Sequence, residues 1–299
     1  MTQAPENIIV EAGDVSFSYP DRQDRYVLNK LNLQVRKGEC VAILGESGAG
    51  KTTLLKLLCG LLKPVQGQVL FEEKPLQGPR NDIALIFQNY GLFPWKTVRE
   101  NILLPARLRK KRADENELAE LLDYLGLREF ARRFPAELSG GQLQRTALGR
   151  AVMSGASLLL MDEPFSALDL RNRMRLQNFM KTFLEDTGMT SVIVTHSIEE
   201  ALCMGDRVAV FDPERGTIRK IWEGCRQAAD SNTAELDERS RLIRESLLQI
   251  QDFSLRMFLP RGGCKHPVIA SEKTLSRISP RAAALASGMI GKSDIGVQR

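Results

Sequence analysis

The chain has 299 residues, 43% hydrophobic and 26% charged, enough apolar content for a sizeable globular core. Its formal charge is +5, and no block of five or six like charges occurs, which argues against a nucleic-acid-binding arm. The five cysteines stand singly without a Cys-x-x-Cys pair, the first residues lack the pattern of a signal peptide, and no apolar run reaches the roughly 18 residues of a spanning helix. These features speak against a disulfide scaffold and an integral membrane protein, and for a reducing compartment.

From the N-terminus, Val15–Phe17, Leu31–Val35 and Cys40–Leu44 read as strands, with Lys37-Gly38-Glu39 turning between the last two. The segment Gly45-Glu46-Ser47-Gly48-Ala49-Gly50-Lys51-Thr52, followed by Thr53, fits G-x-x-x-x-G-K-[ST] between strand VAIL and a helix at Lys51–Leu58. Glycines there let backbone N–H groups and the helix N-terminus face phosphates. Lys51 supplies a positive charge, and the Thr52 hydroxyl is suited to ligate Mg²⁺. Val69–Phe71 and Ile83–Phe87 are strand-like, and from residue 89 to about 155 the pattern turns helical and charged.

Within that stretch, Gln88 is followed by an apolar and aromatic run containing Phe93, Pro94 and Trp95. Such a cluster suits either a groove that receives a partner's helix or simple packing within the helical part. Further on, Leu138-Ser139-Gly140-Gly141-Gln142 opens a helix, LQRTALGRAV, and offers a hydroxyl, two bare glycine N–H groups and a helix N-terminus to an anion. Ser157–Met161 is a buried-type strand that delivers Asp162 and Glu163 side by side. Paired carboxylates at such a place are costly unless they serve a purpose. A divalent cation accounts for Asp162, and Glu163 is then placed as a general base toward water. Ser191–Thr195 and Val208–Phe211 complete a set of short apolar runs separated by helical stretches, the mark of parallel strands with crossover helices.

After a β-like run at Thr217–Ile221, the composition shifts near Arg226. An amphipathic helix is expected over 234–259, with Leu236, Leu242, Ile243, Leu247, Ile250 and Phe253 on its apolar face. Beyond Pro260 the chain is rich in Gly, Ser and Ala and reads as loosely ordered. No internal repeat is evident.

The three motifs in this order resemble those of ATP-binding cassette (ABC) ATPases, over about residues 8–225. The resemblance implies an α/β fold: a P-loop NTPase (RecA-like) core with an inserted α-helical subdomain at about 89–155 and N-terminal antiparallel β strands. It divides the chain into a cassette at 1–225 and a C-terminal extension at 226–299. It implies Gln88 as the glutamine linking Mg²⁺ and water to a membrane partner, and His196 as the switch histidine at the γ-phosphate. Ser166, Ala167, Leu168 and Asp169 become the loop that crosses a dimer interface, and Tyr19 the aromatic that stacks on adenine. Tyr26 is a nearby alternative to Tyr19.

Ser139, Gly140, Gly141 and Gln142 are implied to serve the partner's ATP, so that one cassette per chain calls for a head-to-tail homodimer. Phe93, Pro94 and Trp95 resemble the segment of importer ATPases for nitrate, sulfonate and taurine. That implies integral-membrane permease subunits as partners, an extracytoplasmic substrate-binding protein contacted only indirectly, no nucleic acid, and a peripheral position on the cytoplasmic face. Thr146 and Gly149 depart from the family's usual Val and Ala. An exporter ATPase and a soluble, non-transport ABC ATPase are the competing readings.

Overall fold

The computed structural model describes residues 7–22, 26–109, 114–166, 168–224 and 239–245. Its strands, in chain order, are β1 (Ile8–Phe17), β2 (Leu28–Arg36), β3 (Cys40–Leu44), β4 (Gln66–Phe71), β5 (Lys74–Pro75), β6 (Ile83–Ile86), β7 (Leu158–Asp162), β8 (Thr190–Thr195), β9 (Arg207–Asp212) and β10 (Thr217–Glu223). The helices are α1 (Lys51–Leu58), α2 (Val98–Leu108), α3 (Glu115–Tyr124), α4 (Gly140–Met153), α5 (Leu170–Thr187) and α6 (Ile198–Met204), with residues 239–245 also helical.

Burial patterning sorts the strands into two sheets. β2 alternates, with Leu28, Leu31, Leu33 and Val35 buried and polar residues between them exposed, as suits a sheet with one face on the core. It joins an antiparallel sheet in the order β2-β1-β4-β5. β3, β7 and β8 are buried at every position, as suits strands covered on both faces. They lie at the centre of the second sheet, ordered β10-β9-β3-β8-β7-β6, parallel except for β10. Because β3, β6, β7 and β8 run the same way, Leu44, Ile86, Asp162 and Thr195 all emerge at one edge, where ligands of open α/β sheets bind.

β1 is longer than its sequence suggests. Asp14 takes a left-handed φ of 49° and the pairing with β2 shifts register between Ala12 and Val15, so the irregular stretch IIVEAGD hides a strand. β4 likewise begins at Gln66, before the apolar run at Val69–Phe71. Between β6 and β7 the chain is helical, with α2 and α4 packed together. Gly149 explains one departure from the family pattern: a Cβ there would lie 2.8 Å from Leu125 Cδ1 and 3.0 Å from Ile102 Cδ1. Thr146, fully buried, donates its hydroxyl to the Gln142 carbonyl at 2.8 Å. Both positions serve helix packing.

Of the helix expected over 234–259, residues 239–245 are helical, Ile243 is buried and Leu242 half-buried. Leu236, Leu247, Ile250, Phe253 and the stretch beyond Pro260 lie outside the described residues. Among the described residues, no helix is long and apolar enough to cross a membrane.

Candidate active site

β3 ends at Leu44 and α1 starts at Lys51, so the intervening loop must fold sharply. Gly48 and Gly50 adopt φ of 78° and 109°, and a Cβ on Gly50 would come within 2.9 Å of Val27 Cγ1. No side chain caps α1 and no acid occupies its first turn. In contrast, α2, α3, α4, α5 and α6 are capped by Thr97, Asp114, Ser139, Asp169 and Ser197. The uncapped N–H groups of α1 are thus left for an external acceptor, and the helix dipole favours an anion there.

Lys51 is buried, and its Nζ donates to the carbonyls of Gly45 at 2.7 Å and Glu46 at 2.6 Å. Burial pushes its pKa below the ordinary lysine value, opposed by the charges of Glu163, Asp162 and Glu46. Thr52 donates its hydroxyl to Asp162 Oδ2 at 2.8 Å. Burial holds the Asp162 carboxyl above its usual range, against the Thr52 hydrogen bond and with a further push from Glu163. A buried carboxylate beside a second acid and a hydroxyl is a donor set suited to a hard divalent cation, whose charge would favour the ionised form. Among the described residues no group of three or more His, Cys, Asp or Glu converges as a metal cluster. The Thr52 hydroxyl and the Asp162 carboxylate are hard oxygen donors of the kind that Mg²⁺ takes when phosphate and water would supply its other ligands.

Glu163 leaves β7 with φ of 47°, a strained conformation for a residue with a Cβ. Its N–H donates to the Val194 carbonyl at 2.9 Å, and its Oε1 lies 3.3 Å from His196 Nδ1. The Glu163 side chain is largely buried and that of His196 is 53% exposed. Gln88 Nε2 donates to Ser166 Oγ at 3.2 Å, and Ser166 Oγ donates to the Glu163 carbonyl at 3.0 Å. A cleft of about 670 Å³ gathers Ser47, Gly48, Gly50, Lys51, Thr52, Thr53, Gln88, Asp162 and Glu163. Tyr19 lines it too, with its hydroxyl 3.0 Å from Thr53 Oγ1 and its ring edge-on to Phe17. Tyr26 is not among the lining residues; it is exposed, 3.4 Å from Gln66 Nε2.

Ser139, Gly140, Gly141 and Gln142 lie apart from this cleft. Ser139 and Gln142 form a capping box, Ser139 N–H donating to Gln142 Oε1 at 2.8 Å. A Cβ on Gly140 would sit 2.6 Å from Leu168 Cδ2, so glycine lets the segment after β7 approach α4. Asp169 accepts from Asn172 N–H at 3.1 Å and caps α5, while Ala167 lies outside the described residues.

Trp95 is 68% exposed, with Phe93 edge-on to it at 5.4 Å, and Pro94 is exposed. Phe93 also borders an open groove of about 560 Å³ with Ile86, Leu104, Leu108 and Ala151. Two residues that the motifs do not mark hold this loop. Asn101, fully buried, accepts from Phe93 N–H and donates to the carbonyls of Phe93, Lys96 and Thr97 at 2.9–3.2 Å. Arg150 of α4 donates to the carbonyls of Gly91 and Tyr90, tying the stretch after Gln88 to the helix that begins at Gly140.

A family model described as ABC transporter matches residues 28–166. A taurine import ATP-binding protein from Jannaschia sp. is 34% identical over 238 residues, covering 78% of this chain and 89% of that protein. The chain belongs to the ABC transporter ATP-binding family. This ABC chain is an ATP-hydrolysing enzyme with a P-loop NTPase fold. A nitrate import ATP-binding protein from Synechococcus elongatus is 39% identical over 199 residues, covering 65% of this chain and 30% of its own longer one. The dimeric, post-hydrolysis structure of an ATP-binding cassette bound to ADP and Pi aligns with a TM-score of 0.63 at 30% identity, covering 72% of this chain and 98% of that one.

Proposed function

We propose that this chain energises the import of a small solute of the nitrate, sulfonate or taurine kind, working as a homodimer that closes around two ATP molecules. The convergence of Lys51, Thr52, Asp162 and Glu163 on one cleft, with Glu163 3.3 Å from His196, carries the reading. The uncapped start of α1 and Lys51 hold the phosphates, and Tyr19 stacks on the adenine. Thr52, Asp162 and Gln88 would hold Mg²⁺, which when bound would offset the negative charge on the phosphates. Glu163 accepts the proton of the attacking water, and His196 orients that carboxylate and reaches the γ-phosphate.

Ser139, Gly140, Gly141 and Gln142 lie away from their own chain's cleft, which fits service to the nucleotide of a second copy. Ser166, Ala167, Leu168 and Asp169 then line the interface. The dimeric relative and the relatives' import names support this arrangement. Residues 1–225 form the catalytic cassette, with 89–155 as its helical subdomain, and 226–299 form an extension. The exposed Trp95, with Phe93 and Pro94 beside the open groove, suits docking of a permease helix on the cytoplasmic face, since a core role for Trp95 would bury it.

Phosphate release by the purified full chain in Mg²⁺ and ATP tests the catalytic part. Co-purification with a permease and an extracytoplasmic binding protein tests the importer. Hydrolysis that survives loss of both Glu163 and His196 would refute the residue roles, and a partner lacking any binding protein would favour export.

A further inference from the structure

The helical segment 239–245 follows the last strand of the cassette and sits beside α6, the helix that begins two residues after His196. Ile243 is fully buried in a cluster with Leu44, Ala201, Leu202 and Val208, against which Ile198 and Trp222 also pack. Leu44 is the residue before the P-loop, and Ile198 lies two residues after His196. Ile243 therefore shares one apolar cluster with the strand that leads into the P-loop and the helix that follows His196. Arg239 donates to the carbonyls of Glu223 at 3.3 Å and Gly224 at 2.6 Å, which ties the segment to the end of β10.

On the other flank of Ile243, Arg244 Nη2 donates to Glu199 Oε1 at 3.0 Å. The second oxygen of that carboxylate accepts from Ser197 Oγ at 3.0 Å. Ser197 is the N-cap of α6, its Oγ accepting from Glu200 N–H at 3.2 Å, and it directly follows His196. The far side of the same turn is fixed independently. Thr195 donates to Glu200 Oε2 at 2.5 Å, and Arg173 of α5 lies 3.6 Å from Glu200 Oε1.

We infer that residues 239–245 are an intrachain clamp on the switch turn: Ile243 seats the segment, and Arg244 is a positioning residue that holds His196 against Glu163 through Glu199 and Ser197. This rests on the reading of His196 as part of the hydrolytic site. Arg244 and Glu199 are both largely exposed, and such a pair contributes little to stability. Its effect is on direction: it restrains one carboxylate that also restrains the cap beside His196. The nucleotide-gripping residues Tyr19, Lys51 and Thr52 have no part in this chain of contacts. Loosening the clamp should slow hydrolysis while ATP capture stays intact, which gives the C-terminal extension a way to throttle the enzyme.

The test is steady-state ATPase of the full chain as Arg244→Ala, Glu199→Gln, the double variant and Arg244→Lys, each with a thermal melt. The clamp predicts that either single change lowers kcat about threefold or more, with KM for ATP within about twofold and the melt unchanged. It also predicts that the double variant is no worse than the singles and that Arg244→Lys retains most of the rate, because the groups act through one another. An unchanged kcat in Arg244→Ala, multiplying losses in the double variant, or a kcat loss that follows a lowered melting temperature would overturn the clamp. His196→Ala separates the two levels. If it abolishes hydrolysis while Arg244→Ala is silent, the clamp alone fails; if it keeps the full rate, the role of His196 and the clamp fail together.

Discussion

The P-loop turn and the signature turn are both glycine-bearing entries to a helix, yet the structure finishes them in opposite ways. Before α1, no side chain caps the first N–H groups, Lys51 folds back on the loop carbonyls, and a walled cleft of about 670 Å³ surrounds the opening. Before α4, Ser139 and Gln142 cap each other, and the turn stands outside that cleft. The first turn leaves its donors open to an external acceptor, whereas the second is capped within its own chain. A self-sufficient turn makes a good preformed surface for meeting a nucleotide held by someone else. Under the proposed function, one chain carries one grip and one pre-shaped lid, and the two belong to different sites.

The largest expected effect falls on the gripping half. Glu163→Gln should leave ATP binding intact and lower hydrolysis by about 100-fold or more, because an amide cannot accept the water's proton. The pair of chains should then persist as an ATP-bound dimer on size-exclusion chromatography in Mg²⁺. Near-normal turnover would move the base elsewhere and break the comparison at its root.

A middle-sized effect is expected in the helical part. Asn101→Ala removes a fully buried amide and strands the donors and acceptors of the Phe93–Thr97 loop. Unfolding should become easier by about 2–3 kcal/mol, read by denaturant melting, while ATP affinity of the folded protein stays near the parent value. An unchanged melt would show that water replaces those bonds.

The smallest effect on the isolated chain is expected for Trp95→Ala, within about 0.5 kcal/mol in stability, because the ring is mostly in water. Binding to the permease should nonetheless weaken by about 2–4 kcal/mol. A large drop in the melting temperature, with complex assembly intact, would return Trp95 to the core.

What could be read in the sequence follows the same division. Lys51, Asp162, Glu163 and Ser139 sit in contiguous motifs that mark them as candidates, and the structure brings the first three to one cleft, while the all-buried strands β3, β7 and β8 announce themselves by unbroken apolar runs. Trp95 is ambiguous in sequence because an aromatic near a helix suits core and interface alike, and only its exposure favours one. Asn101 and Arg150 carry no motif; each acts on carbonyls of a loop distant in sequence, which only the folded chain brings near. The first half of β1 is masked by Gly13 and Asp14 at a register shift. The local pattern puts Ile243 on an apolar helix face, but the hollow of β3, β9 and α6 that receives it exists only in the folded chain.

The claim that grip and lid belong to different sites is tested most directly by mixing two broken chains. Lys51→Ala should fail at nucleotide capture, and Ser139→Arg should bind ATP yet fail to close, so each alone should be nearly inactive. A heterodimer of the two holds one site with both lesions and one site with neither. ATPase activity should return on mixing, in proportion to the heterodimer formed and toward half of the parent's sites. Heterodimers confirmed by mass but without any regained hydrolysis would contradict sites shared between chains.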